Sequence, residues 1–303
     1  MLEHTRVYEF LSSLLAICEP LDAFDMPLLD AHGATLAQDV YAGERLVLRE
    51  GTRIRSTQIG LAASIGLVNL PTRPHPRVVI ISAGPDLVEP GKELVGEEEF
   101  ETNSWLLTTA VREVGAVGFR VHSIPENEDQ LRKVIEDQLV RADLIVISGE
   151  RHDDSFALIT RTLESIGEIT TINLGIEGSG LHNFGLIGPD FTPVVTLPGD
   201  PISAYISFEL FVRPMIRTMI GAMDIHRSSI KASLEKAITT KPGERSYLRA
   251  RLSDDRKSVK ALMSQDELST LSDANSLIAI SEKDENISAG TLVNVVILER
   301  REI

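Results

Sequence analysis

The chain has 303 residues, a formal net charge of −15 and 43% hydrophobic residues, enough for two or three domains with their own cores. It contains no run of the roughly 18 apolar residues that a membrane span needs, and residues 1–18 lack the basic start and unbroken apolar stretch of a signal peptide. The acidic balance argues against nucleic acid as a partner, since phosphate binding needs clustered Lys and Arg. The composition therefore predicts a soluble cytoplasmic protein, in which an anionic ligand would need a local exception to the overall charge.

The first 76 residues predict a small domain. Apolar residues recur at helical spacing over residues 4–18, so we expect an amphipathic helix that ends before Pro20. Cys18, the single cysteine, lies in an apolar run and is expected to be a buried hydrophobe rather than a nucleophile. A second, short helix is predicted over residues 57–65. The prolines of residues 70–76 then indicate a stiff linker and a domain boundary.

Strand and helix signals alternate after residue 76. We expect helices over residues 103–114, 127–140 and 156–166, and strands over residues 78–81, 119–123, 144–147, 169–174 and 194–197, with a glycine-rich loop after residue 174. This pattern is typical of a largely parallel sheet, in which ligands bind beyond the carboxyl ends of the strands. Three such ends stand out by their small or turn-forming residues: Ser82 to Gly84, Ser148 with Gly149, and Pro198 with Gly199.

The helix that follows the third strand end has a strong start signal. Asp200 can accept a hydrogen bond from a first-turn N–H as the N-cap, and Pro201 fits the first helical position, where an N–H would have no partner. Free N–H groups and the helix dipole attract anions at such an N-terminus. These residues fit an anion site, and they also fit an ordinary strand–turn–helix connection.

From about residue 230 the chain shows short alternating stretches with turns at residues 242–243 and 289–290, which predicts a small β domain. Two charged clusters allow more than one interpretation. The acidic run over residues 97–101 is expected to be a solvated face, with cation binding as the alternative. Residues 152–154, His-Asp-Asp, are expected in a solvated loop, because adjacent residues rarely converge on one metal ion without distant partners.

Several motifs, taken in order, resemble a known family. They are PLLDAHGATLAQDV (27–40), EGTRIRSTQIGLAASIG (50–66), VIISAGPDLVEPG (79–91), ETNS (101–104), LIVISG (144–149), LPGDPISA (197–204), FELFVRP (208–214), GERSYLRA (243–250) and LSTLSDANSL (268–277). Over nearly its whole length the chain resembles the molybdopterin molybdenumtransferases, the MoeA family, which includes the E domain of gephyrin.

The resemblance implies an α/β fold in three parts. A three-layer α/β domain of the molybdopterin-binding type, with a mostly parallel sheet, is expected over residues 77–225. A split N-terminal domain is expected over residues 1–76, and a small β-barrel-like domain over residues 226–303. The family assembles as an elongated homodimer, and its reaction inserts molybdate into adenylylated molybdopterin, with hydrolysis of the adenylate and help from a divalent metal, Mg²⁺.

Carried onto matching positions, the resemblance implies that molybdopterin binds at the three strand ends. Pro85 takes the acidic position of one family motif, which leaves Asp86 as the next carboxylate; Asp86 and Asp153 are the candidate catalytic residues. The candidate cofactor-binding residues are Ser82, Gly84, Asn103, Ser148, Gly149, Pro198, Gly199, Asp200 and Ser203.

The sequence also departs from the family's pattern. Residues 41–50 are a short connection where the family carries an additional domain. Residues 150–156 are bulky where the family has a loop of small residues, so a phosphate could not approach as closely. Ile176 and Ser179 stand where the family has lysines, which removes positive charge from a pterin phosphate. Asp200 stands where the family usually has Asn, and its carboxylate would repel a phosphate.

Two functions of different classes follow from the sequence. The first is molybdenum cofactor biosynthesis as a molybdopterin molybdenumtransferase whose activity is weak or lost, with molybdopterin and Mg²⁺ as the ligands that the family implies. The second is a non-catalytic, gephyrin-like dimeric scaffold that binds a protein partner. It is favoured because strands, turns and core-forming helices persist while the lysines, the small-residue loop and a whole domain do not.

Overall fold

The computed structural model of the chain describes residues 4–84, 86–96, 98–123, 127–149, 153–263 and 267–298. Its N-terminal elements are β1 (His4–Thr5), α1 (Val7–Ala16), β2 (Phe24–Pro27), β3 (Thr35–Leu36), β4 (Val40–Ala42), β5 (Arg45–Leu48), α2 (Ser56–Ser64) and β6 (Asn69–Arg73). Strands β2, β6 and β3 form an antiparallel sheet in that order, and β4 pairs with β5 as a hairpin. Leu36, Ile54 and Leu70 are fully buried in the core of this small domain.

Two features of this domain bear on the sequence predictions. The prediction of a linker over residues 70–76 was wrong for its first half. Pro71 lies inside β6, and its carbonyl oxygen accepts a hydrogen bond from the Ala37 N–H at 2.8 Å. Where the resemblance implies an inserted domain, the hairpin of β4 and β5 closes the connection with a tight turn. Gly43 adopts a φ of 60° in that turn, a conformation that costs glycine little.

The central domain carries a seven-stranded sheet. Its elements are β7 (Arg77–Ala83), β8 (Leu87–Val88), β9 (Glu99–Phe100), α3 (Asn103–Val114), β10 (Val117–Ser123), α4 (Glu128–Leu139), β11 (Leu144–Ser148), α5 (Asp153–Glu164), β12 (Gly167–Leu174), β13 (Gly180–Ile187), β14 (Thr192–Leu197), α6 (Pro201–Ser207), a π-helical turn (Phe208–Val212) and α7 (Arg213–Met219). The strand order is β1-β12-β13-β14-β11-β7-β10. Of these seven described strands, β13 alone runs antiparallel to its neighbours.

Side chains alternate between the two faces of the sheet, and each face has its own core. Val78 and Ile80 of β7 pack in one cluster with α1, α3 and the segment from α6 to α7. Val79 and Ile81 pack with α4 and α5 on the opposite face. Helices therefore cover both faces, which confirms the predicted three-layer α/β architecture with a mostly parallel sheet.

The N-terminal strand and helix pack on this central sheet. Strand β1 pairs in parallel with β12, and Phe10 and Leu14 of α1 are buried in the core beneath the sheet. Cys18 lies in the same core, as predicted, and burial raises the pKa of its thiol to about 12. The domain boundary at residue 76 stays a prediction; the structure adds that α1 shares the core of the central domain.

Strand β13 lies where the sequence indicated only a glycine-rich loop. It pairs with β12 along its length, from Gly167 opposite Ile187 to Leu174 opposite Gly180. A Cβ on Gly185 would lie 1.9 Å from the Glu168 carbonyl oxygen, so this close approach of the two strands requires glycine. The strand was missed because its glycines and polar residues break the apolar run by which the other strands were recognised.

The C-terminal part is a closed β-barrel. Its elements are β15 (Ser229–Leu234), β16 (Ile238–Thr239), β17 (Ser246–Leu252), β18 (Ser258–Ala261), α8 (Glu267–Asp273), β19 (Ser276–Ile280), β20 (Asn286–Ile287) and β21 (Leu292–Ile297). The barrel strands follow the order β15-β18-β17-β19-β21, and Ile278 and Val295 are fully buried in its core. The predicted small β domain is therefore confirmed as a barrel. Across the ranges described above, no helix is long and apolar enough to cross a bilayer.

Candidate functional site

The three strand ends that the sequence singled out lie side by side. Strands β14, β11 and β7 are adjacent and parallel, so their carboxyl ends meet at one edge of the sheet. Ser148 is opposite Leu197 on one side and opposite Ser82 on the other. Gly84 and Gly149 directly follow the ends of β7 and β11. We call this edge, with Ser82, Asn103, Ser148, Pro198 and Gly199, the strand-end site.

Asn103 ties the start of α3 to two of these strand ends. Its side-chain Nδ2 donates to Ser148 Oγ and to the Gly199 carbonyl oxygen, both at 2.7 Å. Ser148 Oγ in turn donates to the Pro198 carbonyl oxygen at 3.1 Å. Four of the candidate binding residues therefore form one hydrogen-bond network.

Two buried polar atoms at this site have no hydrogen-bond partner among the described residues. They are Ser82 Oγ and Asn103 Oδ1. Ser82 is aligned with Ser148 across parallel strands, so its side chain lies on the same face of the sheet as the Asn103 network. Leaving a buried polar group unsatisfied costs about 1–3 kcal/mol. The edge is therefore suited to a ligand that both donates and accepts hydrogen bonds.

Helix α6 begins as predicted, with Asp200 as its N-cap. The Asp200 carboxylate accepts a hydrogen bond from the Ser203 N–H at 2.8 Å, and Pro201 takes the first helical position. The segment that precedes β13 covers this helix start, because a Cβ on Gly178 would lie 3.0 Å from Ser203 Oγ. A negative charge and a packed segment thus occupy the place where an anion would bind.

The two positions where the family has lysines are buried in this chain. Ile176 packs in the core of the central domain at 4% exposure, and Ser179 is 6% exposed. Ser179 Oγ lies 2.8 Å from Nε2 of His182, whose Nδ1 lies 2.8 Å from the Thr196 carbonyl oxygen. Burial lowers the pKa of His182 to about 4, so the ring is neutral at pH 7; Nδ1–H donates to Thr196 and Nε2 accepts from the Ser179 hydroxyl.

The same segment holds the barrel against the central domain. The Arg245 N–H donates to the Gly175 carbonyl oxygen at 2.9 Å, and the Glu177 N–H donates to the Arg245 carbonyl oxygen at 3.0 Å. Ser246 Oγ also donates to the Glu177 carboxylate at 2.6 Å. Residues 175–179 therefore serve as a structural connection between domains, a role that no sequence motif indicated.

The candidate catalytic carboxylates are less well placed. Asp86 is exposed, and its carbonyl oxygen accepts a hydrogen bond from the Glu99 N–H at 2.9 Å, next to the short parallel pair of β8 and β9. Asp153 is the first residue of α5, and its side chain lies outside the described part of the chain, as do Pro85 and residues 150–152. Their proposed catalytic role stays a prediction.

The acidic run was predicted as a solvated face, and this was wrong for its last member. Glu101 is buried and accepts hydrogen bonds from the N–H and the hydroxyl of Ser104 at 2.7 and 2.5 Å. Nη1 of Arg120 lies 2.8 Å from Glu89 Oε1 and 3.5 Å from Glu101 Oε2, and the Arg120 guanidinium stacks 4.1 Å from the ring centroid of Trp105. No sequence pattern pointed to Arg120, because its partners come from other elements.

The described residues include no group of three or more His, Cys, Asp or Glu side chains that could hold a metal ion. Magnesium, which the family resemblance implies and which proteins commonly hold through only one or two carboxylates, stays a prediction. The side chains that could add to such a set, Asp153 and Asp154, lie outside the described residues.

Comparison with known proteins agrees with this architecture. Residues 231–298 match the family model of the MoeA C-terminal region, domain IV. The chain is 30% identical over 269 residues to molybdopterin molybdenumtransferase 1 of Mycobacterium tuberculosis, which covers 86% of this chain and 63% of that protein. It is 32% identical over 266 residues to molybdopterin molybdenumtransferase 2 of the same organism, over 85% of this chain and 65% of that protein. The chain thus spans less than two thirds of the length of these relatives.

Among solved structures, the molybdopterin biosynthesis MoeA protein of Pyrococcus horikoshii superposes with a TM-score of 0.86 at 18% identity, over 98% of this chain and 100% of that one. The mostly parallel three-layer α/β domain and the closed C-terminal barrel are therefore the fold that this chain shares with MoeA structures. The match to the MoeA C-terminal region and the similarity to two molybdenumtransferases support a place for the chain in the MoeA family.

Proposed function

We propose that this chain acts in molybdenum cofactor biosynthesis and binds molybdopterin at the strand-end site. The observation that carries the proposal is the pair of buried atoms without partners in the described chain, Ser82 Oγ and Asn103 Oδ1, at the ends of parallel strands in a MoeA-type fold. Buried polar groups in proteins are nearly always hydrogen-bonded. A pterin ring, with its N–H and carbonyl groups, has the donors and acceptors that these atoms need. The names of the two mycobacterial relatives support the same process.

We propose further that insertion of molybdate into adenylylated molybdopterin is weak or lost. The positions of the family's lysines hold Ile176 and Ser179, which are buried and carry no charge. The N-terminus of α6 is already capped by the Asp200 carboxylate. Both features remove attraction for a phosphate where it is needed, because a charged donor binds an oxyanion about twice as strongly as a neutral one.

The alternative is a gephyrin-like homodimeric scaffold that binds a protein partner. It is supported by the structural use of residues 175–179, which connect the barrel to the central domain instead of presenting lysines to a ligand. In this alternative the strand-end site would bind no pterin. Binding of the pterin therefore separates the two proposals.

Ser82→Ala tests the pterin proposal with little risk to folding. The Ser82 hydroxyl makes no hydrogen bond within the described chain, so its removal should leave the melting temperature unchanged or raise it. If the hydroxyl contacts the ligand, the variant should bind adenylylated molybdopterin about five- to tenfold more weakly in calorimetry, since one hydrogen bond contributes about 1 kcal/mol or slightly more.

Thr108→Val is the matched control, because Thr108 Oγ1 is also buried and unpartnered among the described atoms but lies further along α3. We expect its pterin affinity to equal that of the unmodified chain. If the Ser82→Ala variant binds the pterin as tightly as the unmodified chain, the proposal that the pterin binds at the strand-end site would be contradicted. A complete absence of binding by the unmodified chain would favour the scaffold.

A further inference from the structure

Five arginines converge on a cleft that lies away from the strand-end site. Arg53 and Arg55 come from the segment before α2, Arg213 and Arg217 from α7, and Arg227 from the connection to the barrel. They line an open cavity of about 660 Å³ between the N-terminal domain, the central domain and the barrel. We call this the arginine cleft.

The cleft is a local exception to the acidic charge of the chain. Its carboxylates are Glu113 and Asp224 in the lining and Glu209, which pairs with Arg227. Five guanidinium groups against three carboxylates leave an excess of two positive charges, in a chain whose formal net charge is −15. Such a concentration of one charge in a concave surface raises the local concentration of counter-ions of the opposite sign.

The fold holds some of these arginines in place and leaves others exposed. Arg227 donates to both carboxylate oxygens of Glu209 at 2.7 Å, and Arg217 Nε donates to the Asp224 carbonyl oxygen at 2.8 Å. Arg53 and Arg55 are exposed, and no carboxylate of the described chain lies within 4.0 Å of either guanidinium. The cleft thus combines two arginines held by hydrogen bonds, Arg217 and Arg227, with two exposed guanidinium groups that have no acidic partner in the described ranges.

The cleft and the strand-end site are separated by the length of a helix. Asn103 begins α3 at the strand-end site, and Glu113 lies in its last turn at the cleft, so the rise along α3 places the two about 15 Å apart. The C-terminal ends of α3 and α7 also carry partial negative charge, which favours arginine side chains nearby. The cleft is therefore separate from the proposed pterin site.

We propose that the arginine cleft binds a small oxyanion that carries two or more phosphate groups. Guanidinium groups bind phosphate oxygens through paired, charge-assisted hydrogen bonds, for which the planar arginine fork is better suited than lysine. The cavity volume lies within the range of small-molecule sites, about 300–1,000 Å³. Among the described residues that line the cleft, none has an aromatic side chain for stacking a nucleobase, which favours the phosphates themselves over a nucleic acid.

The test is calorimetric titration of the full chain with pyrophosphate and with inorganic phosphate at low salt. The double variant Arg53→Gln/Arg55→Gln removes the two exposed groups of the cleft. The matched control is Arg45→Gln/Arg49→Gln, which removes two exposed arginines from the same small domain outside the cleft. Thermal unfolding of both variants verifies that they fold.

We expect one pyrophosphate per chain, bound more tightly than phosphate, with affinity reduced about tenfold or more in the cleft variant and by less than about twofold in the control. Equal losses in the two variants would mean unspecific attraction by surface charge and would overturn the proposal. So would unchanged affinity in the cleft variant, or no saturable binding of pyrophosphate to the unmodified chain. None of these outcomes depends on pterin binding at the strand-end site.

Discussion

Replacement of Ile176 by lysine should lower the free energy of unfolding at pH 7 by about 3–5 kcal/mol. Ile176 is 4% exposed and packs in the core of the central domain, so the new ammonium group would lose its hydration. A buried lysine gives up its proton instead, and its pKa falls by several units. The variant thus restores a residue type that the family has at this place, and we expect the chain not to accommodate it.

The pH dependence gives this prediction a definite sign. The pKa of the lysine would be depressed in the folded state and ordinary, about 10.4, in the unfolded state. The unfolded state then binds more protons over the interval between the two values, so the stability of the variant rises with pH there. Denaturant unfolding at several pH values between about 7 and 10 measures this slope relative to the unmodified chain.

Ile176→Met is the matched control, since it conserves volume without charge and should cost less than about 1.5 kcal/mol. If Ile176→Lys is as stable as the control, the segment can turn its side chain to solvent. The loss of the family's lysines would then be a surface change without structural consequence, and residues 175–179 would not be a fixed connection between the domains.

Removal of the Glu209 side chain should lower the free energy of unfolding by a comparable amount. Glu209 lies in the π-helical turn, and its side chain is 2% exposed. It accepts two hydrogen bonds of 2.7 Å from Arg227, which also donates to the Leu298 carbonyl oxygen at 2.5 Å. Burial alone would lower the pKa of Arg227, but the Glu209 carboxylate more than compensates and the pKa is raised.

Glu209→Ala leaves the Arg227 charge buried without this partner, for which about 3–5 kcal/mol is expected. The double variant Glu209→Ala/Arg227→Met should recover part of that loss, because the Arg227 charge is removed together with its partner while Arg213, 11% exposed and 3.9 Å from Glu209, keeps its charge. Chemical denaturation of the single and double variants measures both values. A single variant within about 1 kcal/mol of the unmodified chain would show that the ion pair is solvated in solution and does not connect the helix to the barrel.

The layers of the fold could be predicted from the sequence because the central strands are continuous apolar runs. Residues 78–81, 144–147 and 194–197 each lie inside a buried strand of the observed sheet. The cap at Asp200 was predictable for a local reason, since its partner Ser203 is three residues away. Features that depend on neighbours along the chain can therefore be predicted from the amino-acid sequence alone.

Features built from distant residues could not be predicted in this way. The Arg120 contacts join a strand to two other elements, and the arginine cleft joins segments that are more than 150 residues apart in the chain. The residues in place of the family's lysines were identified by resemblance alone, and their burial depends on how β13 folds back on β12. The glycines of β13 interrupt its apolar pattern, so the strand could not be recognised in the sequence. Gly185 is nevertheless what permits β12 and β13 to approach each other.

Our central proposal is that this chain, with its MoeA-type fold, keeps the strand-end site but lacks the charges that molybdate insertion requires. The most direct test supplies adenylylated molybdopterin and molybdate to the purified protein, with and without Mg²⁺, and measures the active cofactor formed beside a MoeA relative that carries the lysines. We expect formation far below that of the relative under both conditions. Turnover comparable with that of the relative would contradict the proposal.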